Sequence, residues 1–221
     1  MKRIGVYGGT FDPIHNAHLK IARLVSDGFR LERMLLVPAH VPPHKEADSV
    51  TSAYHRFAMA ALATIDEPAL GVSTVEVEAP HRPYTFETIE RLRADAGEDA
   101  VLFFVMGTDS FEELGTWRNP ERLLMASNLV VITRPGHPVS TAALNRGIFA
   151  GIRDWRGRKR EEFDSADQQA SGLVYLTDVV CDDLSSTDLR RRVRAGESID
   201  DMVPPRVAAY IRKYDLYGRL N

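Results

Sequence analysis

Val6-Tyr7-Gly8-Gly9-Thr10-Phe11-Asp12-Pro13-Ile14-His15-Asn16-Ala17-His18-Leu19 decides how the rest of the chain is read. The apolar residues 4–7 lead into it and predict a strand, and two glycines and a proline then turn the chain. A helix over 18–29 follows, with Leu19, Ile21, Ala22 and Val25 as its apolar face. A strand, a glycine turn and a helix start form a site for anions. Gly8 and Gly9 carry no Cβ, so amides can approach a ligand. The helix start adds unpaired N–H groups and the positive end of a dipole. His15 and His18, three residues apart, share one face and can aim at one ligand.

Outward from this stretch, strand-like runs recur at 4–7, 34–38, 71–77, 101–106, 129–133 and 173–177. Helical patterns fall between several of them, at 18–29, 53–64, 86–96 and 120–126. Such alternation predicts an α/β fold, a mostly parallel sheet with helices on both faces. Val101-Leu102-Phe103-Phe104-Val105-Met106 is continuously apolar, as a strand buried on both faces must be. Ligands of such sheets bind beyond the carboxyl ends of the strands, at the switch point. The glycine turn ends the first strand and fits that position.

The 221 residues carry a formal net charge of −3, so no global basic field argues for nucleic acid. The length predicts one domain over 1–221, with an α/β core over 1–180 and a phosphate-binding loop and C-terminal helical part over 181–221. One cysteine, Cys181, excludes an internal disulfide framework and fits a reducing cytoplasm. The apolar run after Met1-Lys2-Arg3 stops at Gly8, too short for a secretory leader, and no run suits a membrane span.

Further candidates follow in chain order. Pro38-Ala39-His40-Val41-Pro42-Pro43-His44-Lys45 is a stiff extended loop that brings His44 and Lys45 near the anion site. Arg56 and Met59 in the next helix read as a solvated arginine and a core methionine. In Pro83-Tyr84-Thr85, Thr85 suits a helix N-cap. Gly107-Thr108-Asp109 ends the buried strand, and Asp109 can be a helix cap. Trp117, off any core period, is either a lid over the domain edge or a platform for a flat ring. Arg134 stands at the end of the next strand. The charged segment 137–172 reads as a solvated helix face or an insertion; its single tryptophan amid balanced charge is a weak basis for RNA binding. In Leu184-Ser185-Ser186-Thr187-Asp188-Leu189-Arg190, Ser185 or Ser186 can cap a helix, and the hydroxyls with Arg190 make a second anion cradle. Pro205 starts a terminal amphipathic helix with Val207, Tyr210, Ile211 and Tyr214 inward, and Leu216-Tyr217 after it reads as packing.

The opening stretch resembles the signature of the H-x-G-H nucleotidyltransferases. Gly-Gly-Thr-Phe-Asp-Pro-Ile-His is similar to the form found in the bacterial nicotinate-nucleotide adenylyltransferase family. Pro42-Pro43-His44-Lys45, Tyr84-Thr85, Asp109, Trp117 and Leu184-Ser185-Ser186-Thr187 with Arg190 extend the likeness over most of the chain, most weakly at 137–172. Two departures stand out: Ala17 replaces the glycine between the histidines, and Pro83 replaces a serine. The first implies a slightly shifted nucleotide; the second leaves the following amides untouched.

The resemblance implies a Rossmann-like doubly wound fold and transfer of AMP from ATP to nicotinate mononucleotide in NAD biosynthesis. It implies that Gly8, Gly9, Thr10, Phe11, His18, Ser185, Ser186, Thr187 and Arg190 bind ATP and its phosphates. His15, His18, Lys45 and Arg190 would carry catalysis. His44, Lys45, Tyr84, Thr85, Asp109, Trp117, Arg118 and Arg134 would bind the mononucleotide: the amides of Thr85 and Arg118 at its carboxylate, Trp117 on its ring. Mg²⁺ would come with ATP, held by phosphates and water, without a protein metal cage. An oligomer is compatible with the sequence, and neither a nucleic acid nor a membrane partner is expected.

Three rival readings are open. Phosphopantetheine adenylyltransferase shares the first motif, but has a shorter chain and no role for Trp117 and the Thr85 turn. A metallohydrolase using Asp12, His15 and His18 conflicts with the histidine spacing and lacks the intervening glutamate of zinc helices. A non-catalytic nucleotide-binding module finds its only hint in Ala17.

Overall fold

The computed structural model describes residues 1–40, 50–133, 139–145, 147–157, 171–178 and 184–218. Seven strands form one sheet: β1 (Lys2–Gly9), β2 (Arg33–Pro38), β3 (Leu70–Val72), β4 (Ala100–Gly107), β5 (Asn128–Ile132), β6 (Gly151–Asp154) and β7 (Leu173–Thr177). Their order is β3-β2-β1-β4-β5-β7-β6, and each neighbouring pair is parallel. Helices α1 (Asn16–Gly28), α2 (Ala53–Thr64), α3 (Thr85–Ala96), α4 (Thr108–Glu112), α5 (Pro120–Ala126), α6 (Thr141–Leu144), α7 (Ser186–Arg194) and α8 (Pro205–Lys213) accompany it. The fold is the expected Rossmann-like α/β arrangement.

Parallel strands joined by helical crossovers must be apolar on both faces, and β4 is buried from Ala100 to Met106. Its neighbours Phe103 and Phe104 point into different layers, as the period of two requires. Phe103 joins Leu19, Val25, Met59, Leu189 and Ile211 from α1, α2, α7 and α8. Phe104 joins Phe86, Ile89, Leu123 and Val131 from α3, α5 and β5. The chain winds from β1 through β2 to β3 on one side, and from β4 outward on the other. The direction therefore reverses between β1 and β4. Their carboxyl ends, Gly8-Gly9 and Gly107, flank the crevice that this reversal opens.

Most elements fall where the sequence puts them; three do not. The strand expected over 71–77 is only Leu70–Val72. Ser73 Oγ accepts from the Val75 amide at 3.3 Å and bends the chain. Val75 is apolar because it packs on the second core layer, and Val77 is buried as well; neither belongs to the strand. Second, the described part of 137–172 carries regular structure, while its charged run 158–162 lies outside the described residues. The described part contains α6 and the edge strand β6, and Trp155 is buried between Phe29 and Tyr175, at centroid distances of 4.8 and 4.5 Å. Third, Arg56 is 1% exposed rather than solvated.

Candidate active site

A cavity of about 1200 Å³ opens at the switch point. Ordinary ligand pockets hold about 300–1,000 Å³, so this one has room for more than a single small ligand. Gly8, Gly9, Thr10, Phe11, His15, Ala17 and His18 form one wall. Tyr84, Thr85, Asp109, Trp117 and Arg118 form another, and Leu184 and Ser185 close the end.

The first wall is set by backbone crowding. A Cβ on Gly9 would stand 2.8 Å from the Phe11 ring, so only glycine fits there. A Cβ on Gly8 would meet nothing nearer than the Phe104 ring at 3.5 Å. The protein itself therefore tolerates a methyl at Gly8, and the open side faces the cavity. Phe11, at φ 50°, turns back and packs edge-on against Tyr7 and His18, at 5.6 and 5.1 Å.

His15 is the N-cap of α1 and His18 stands three residues into it. Their rings stack 3.7 Å apart, so the shared face expected from the spacing is real. The His15 amide donates to His18 Nδ1 at 3.3 Å. Nδ1 then holds a lone pair, and the ring proton of neutral His18 lies on Nε2. Burial depresses the His15 pKa to about 4. Burial first, and then the neighbouring His15, hold His18 well below the ordinary histidine range. Both imidazoles are neutral at pH 7. His15 Nδ1 is buried and has no hydrogen-bond partner among the described residues, a cost that a ligand oxygen would relieve.

The second wall comes from two helix starts. Tyr84, not Thr85, is the N-cap of α3, and its amide donates to the Glu87 carboxylate at 2.8 Å. Thr85 is the first helical residue, where an amide has no partner within the helix. The sequence missed this one-residue shift because threonine caps helices far more often than tyrosine does. Asp109 lies in the first turn of α4, whose N-cap is Gly107, so it is not itself the cap. Trp117 is half-buried and meets Phe104 edge-on at 6.4 Å, leaving its ring in the cavity wall.

The second phosphate motif starts α7. Ser185 is the N-cap and accepts from the Asp188 amide at 3.1 Å. Ser186 Oγ donates to the Pro13 carbonyl at 3.0 Å, and Arg190 donates to the Asp12 carbonyl at 2.7 Å and to Thr187 Oγ1 at 3.2 Å. These three residues do not line the cavity; they lock the start of α7 onto the turn that carries His15. His44, Lys45 and Arg134 lie outside the described residues.

Four residues that sequence reasoning did not place at the site support it. Arg56 donates to the carbonyls of Thr10, Ala39, His40 and Thr51 at 2.6–2.9 Å, tying the glycine turn to the loop after β2. Asp12, 1% exposed, accepts from the Thr51 amide at 3.2 Å and from the Tyr217 hydroxyl at 2.6 Å. Glu76 lines the cavity and accepts from Thr88 Oγ1 at 2.8 Å and from the His40 amide at 3.2 Å. Burial raises its pKa, and these hydrogen bonds oppose the rise. No local pattern marks such residues, because most of their partners, backbone groups and hydroxyls alike, come from other elements of the chain.

This fold and this cavity define a nucleotidyltransferase. The family model described as cytidylyltransferase-like matches residues 6–192. A Thermoanaerobacter relative described as a probable nicotinate-nucleotide adenylyltransferase is 38% identical over 98% of this chain and 95% of its own. One from Chromobacterium violaceum with the same description is 38% identical over 97% and 98%. The chain belongs to the nicotinate-nucleotide adenylyltransferase family. Its fold is also similar to Plasmodium falciparum nicotinic acid mononucleotide adenylyltransferase, solved in complexes with NaAD and with APC. The TM-scores are 0.72 and 0.70, at 19% identity over 98% of both chains.

Proposed function

We propose that this chain transfers the adenylyl group of ATP to nicotinate mononucleotide, yielding nicotinate adenine dinucleotide and pyrophosphate. The observation that carries the reading is one cavity with a neutral histidine pair on a glycine turn at one wall, and an aromatic ring beside two helix starts at the other. Relatives described as nicotinate-nucleotide adenylyltransferases support the same substrates.

A phosphate oxygen of the mononucleotide forms the new bond to the α-phosphorus of ATP. The bond from that phosphorus to the bridging oxygen breaks, and its electron pair leaves on pyrophosphate. A phosphate monoester is largely dianionic at pH 7, so the nucleophile needs no general base. The protein's task is to hold two anions together and to stabilise the charge gathering on the α-phosphoryl oxygens. His18 donates through Nε2–H and His15 stands beside it as a second donor. Gly8, Gly9, Thr10 and Phe11 offer backbone and shape for the nucleotide. Ser185 borders the phosphates at the start of α7, with Ser186, Thr187 and Arg190 fixing that helix start behind it, and the charges of Lys45 and Arg190 neutralise pyrophosphate.

Arg190 uses part of its fork on Asp12 and Thr187, yet a guanidinium has five N–H donors and keeps others for phosphate. At the far wall, the amides of Thr85 and Arg118 face the pyridine carboxylate, Trp117 stacks on the ring, and Tyr84 and Asp109 border it. His44 and Arg134 complete the mononucleotide site. Mg²⁺ enters as part of MgATP, held by its phosphates and water.

Pyrophosphate release from MgATP, with nicotinate mononucleotide, nicotinamide mononucleotide and phosphopantetheine as parallel acceptors, tests the reading. A large preference for the nicotinate form is the expected result. Turnover with phosphopantetheine alone would overturn the acceptor, and none with any acceptor would leave a nucleotide-binding module.

A further inference from the structure

The turn Thr10-Phe11-Asp12-Pro13-Ile14-His15 is gripped from several sides. Arg56 holds the carbonyl of Thr10, Arg190 that of Asp12 and Ser186 that of Pro13. The Asp12 carboxylate, buried beneath the turn, is held by the Thr51 amide and by the hydroxyl of Tyr217 at 2.6 Å. Tyr217 lies 205 residues away in sequence, beyond the end of α8. It is the one side-chain donor to that carboxylate among the described contacts.

The tail bends to bring it there. Asp215 and Tyr217 take φ values of 49° and 67°, a left-handed conformation that residues with a Cβ rarely adopt. Simple packing of an aromatic ring does not require this. Strain of that kind persists where other contacts over-determine it, often beside functional groups. The hydroxyl also reaches Met59 Sδ at 4.0 Å, but its short contact is the one to the Asp12 carboxylate at 2.6 Å.

We infer that the Tyr217 hydroxyl is a positioning group for adenylyl transfer: by fixing the Asp12 carboxylate it holds the glycine turn and the His15–His18 pair in register for the phosphates of ATP. The inference rests on the function proposed above. Without the hydroxyl, a buried carboxylate loses a donor. The turn can then relax toward another arrangement, and the histidine pair loses its aim while the sheet stays intact. Among the described residues, no contact joins Tyr217 to the ring pocket built on α3 and the segment around Trp117.

The test compares Tyr217→Phe and Tyr217→Ala with the wild-type chain. Calorimetric titration with MgATP needs no acceptor, and steady-state kinetics with nicotinate mononucleotide accompanies it. Tyr217→Phe should weaken MgATP binding or lower kcat by about tenfold, as loss of a hydrogen bond to a charged group does. The KM for the mononucleotide should stay within about twofold, and the melting temperature should fall by no more than about 10 °C, leaving the variant folded at assay temperature. In an Asp12→Asn background, Tyr217→Phe should change ATP affinity little, because the two residues act as one unit. A Tyr217→Phe variant with wild-type ATP affinity and kcat, and a defect in Tyr217→Ala alone, would assign Tyr217 to packing and overturn the inference. Failure of the wild type itself to use the mononucleotide would overturn the functional reading instead, and the ATP titration would still report on the hydroxyl.

Discussion

The imidazoles of His15 and His18 stack 3.7 Å apart with their planes 24° from parallel, and the amide of the first holds Nδ1 of the second. This pair leaves Nε2–H of His18 as a donor of fixed tautomer. Removing it by His18→Ala should lower kcat by about 10²–10³-fold, as loss of a positioned transition-state donor does. Steady-state turnover, with circular dichroism to verify the fold, checks this; near-normal turnover in a folded variant would remove His18 from the chemistry.

The same burial sets a pH dependence. His15 titrates near 4 in the native chain and near 6.5 when unfolded. Between those values the unfolded chain binds the extra proton, so stability is fully present above pH 6.5 and is lost as pH falls toward 4. The depression corresponds to about 3 kcal/mol by pH 4. Urea unfolding of wild type and His15→Gln at pH 7 and pH 4.5 measures it. The variant should lose less on acidification, and parallel losses would show that His15 is not responsible.

Gly8 and Gly9 should respond differently to a methyl group. Gly9→Ala forces a Cβ to 2.8 Å from the Phe11 ring and should cost about 1–3 kcal/mol of stability, as overpacking does. Gly8→Ala meets only an ordinary contact at 3.5 Å, so it should melt near wild type yet turn over more slowly. Thermal melts paired with kinetics separate the two effects; equal stabilities would mean that the Phe11 ring can move aside.

Trp117→Ala should raise the KM for nicotinate mononucleotide by about three- to tenfold, the worth of an aromatic stack. The KM for ATP should change little. A reversed split would place Trp117 on the adenine side.

Arg56→Met should destabilise the chain by several kcal/mol, at about 1–3 kcal/mol for each buried acceptor left without its donor. Four carbonyls lose a donor at once. Denaturant midpoints give the value, and a loss below about 1 kcal/mol would mean that water replaces the guanidinium.

The frame of this molecule was legible because its elements obey local rules. Residues 53–64 and 120–126 form helices at the bounds read from their pattern, and Val101 to Met106 lies within a strand buried on both faces. The edge strand Gly151–Asp154 was not legible: it is four residues long, half polar, and gains its pairing only from β7. Arg56 looked solvated because nothing nearby in sequence announces its acceptors at Thr10 and Ala39. Tyr217 looked like packing for the same reason. Of the site, the motif residues could be read from the sequence, while the groups that hold them could not.

The bond between Tyr217 and Asp12 also bears on how the molecule comes together. Closing a contact across 205 residues is entropically costlier than pairing β1 with β2 or docking α1, and it has little reward until the sheet exists. Refolding should therefore restore the secondary structure and the Trp155 environment first. Catalytic competence should lag, appearing only when the distant tyrosine docks. On this view the phosphate turn, first in sequence, is among the last parts of the protein to mature.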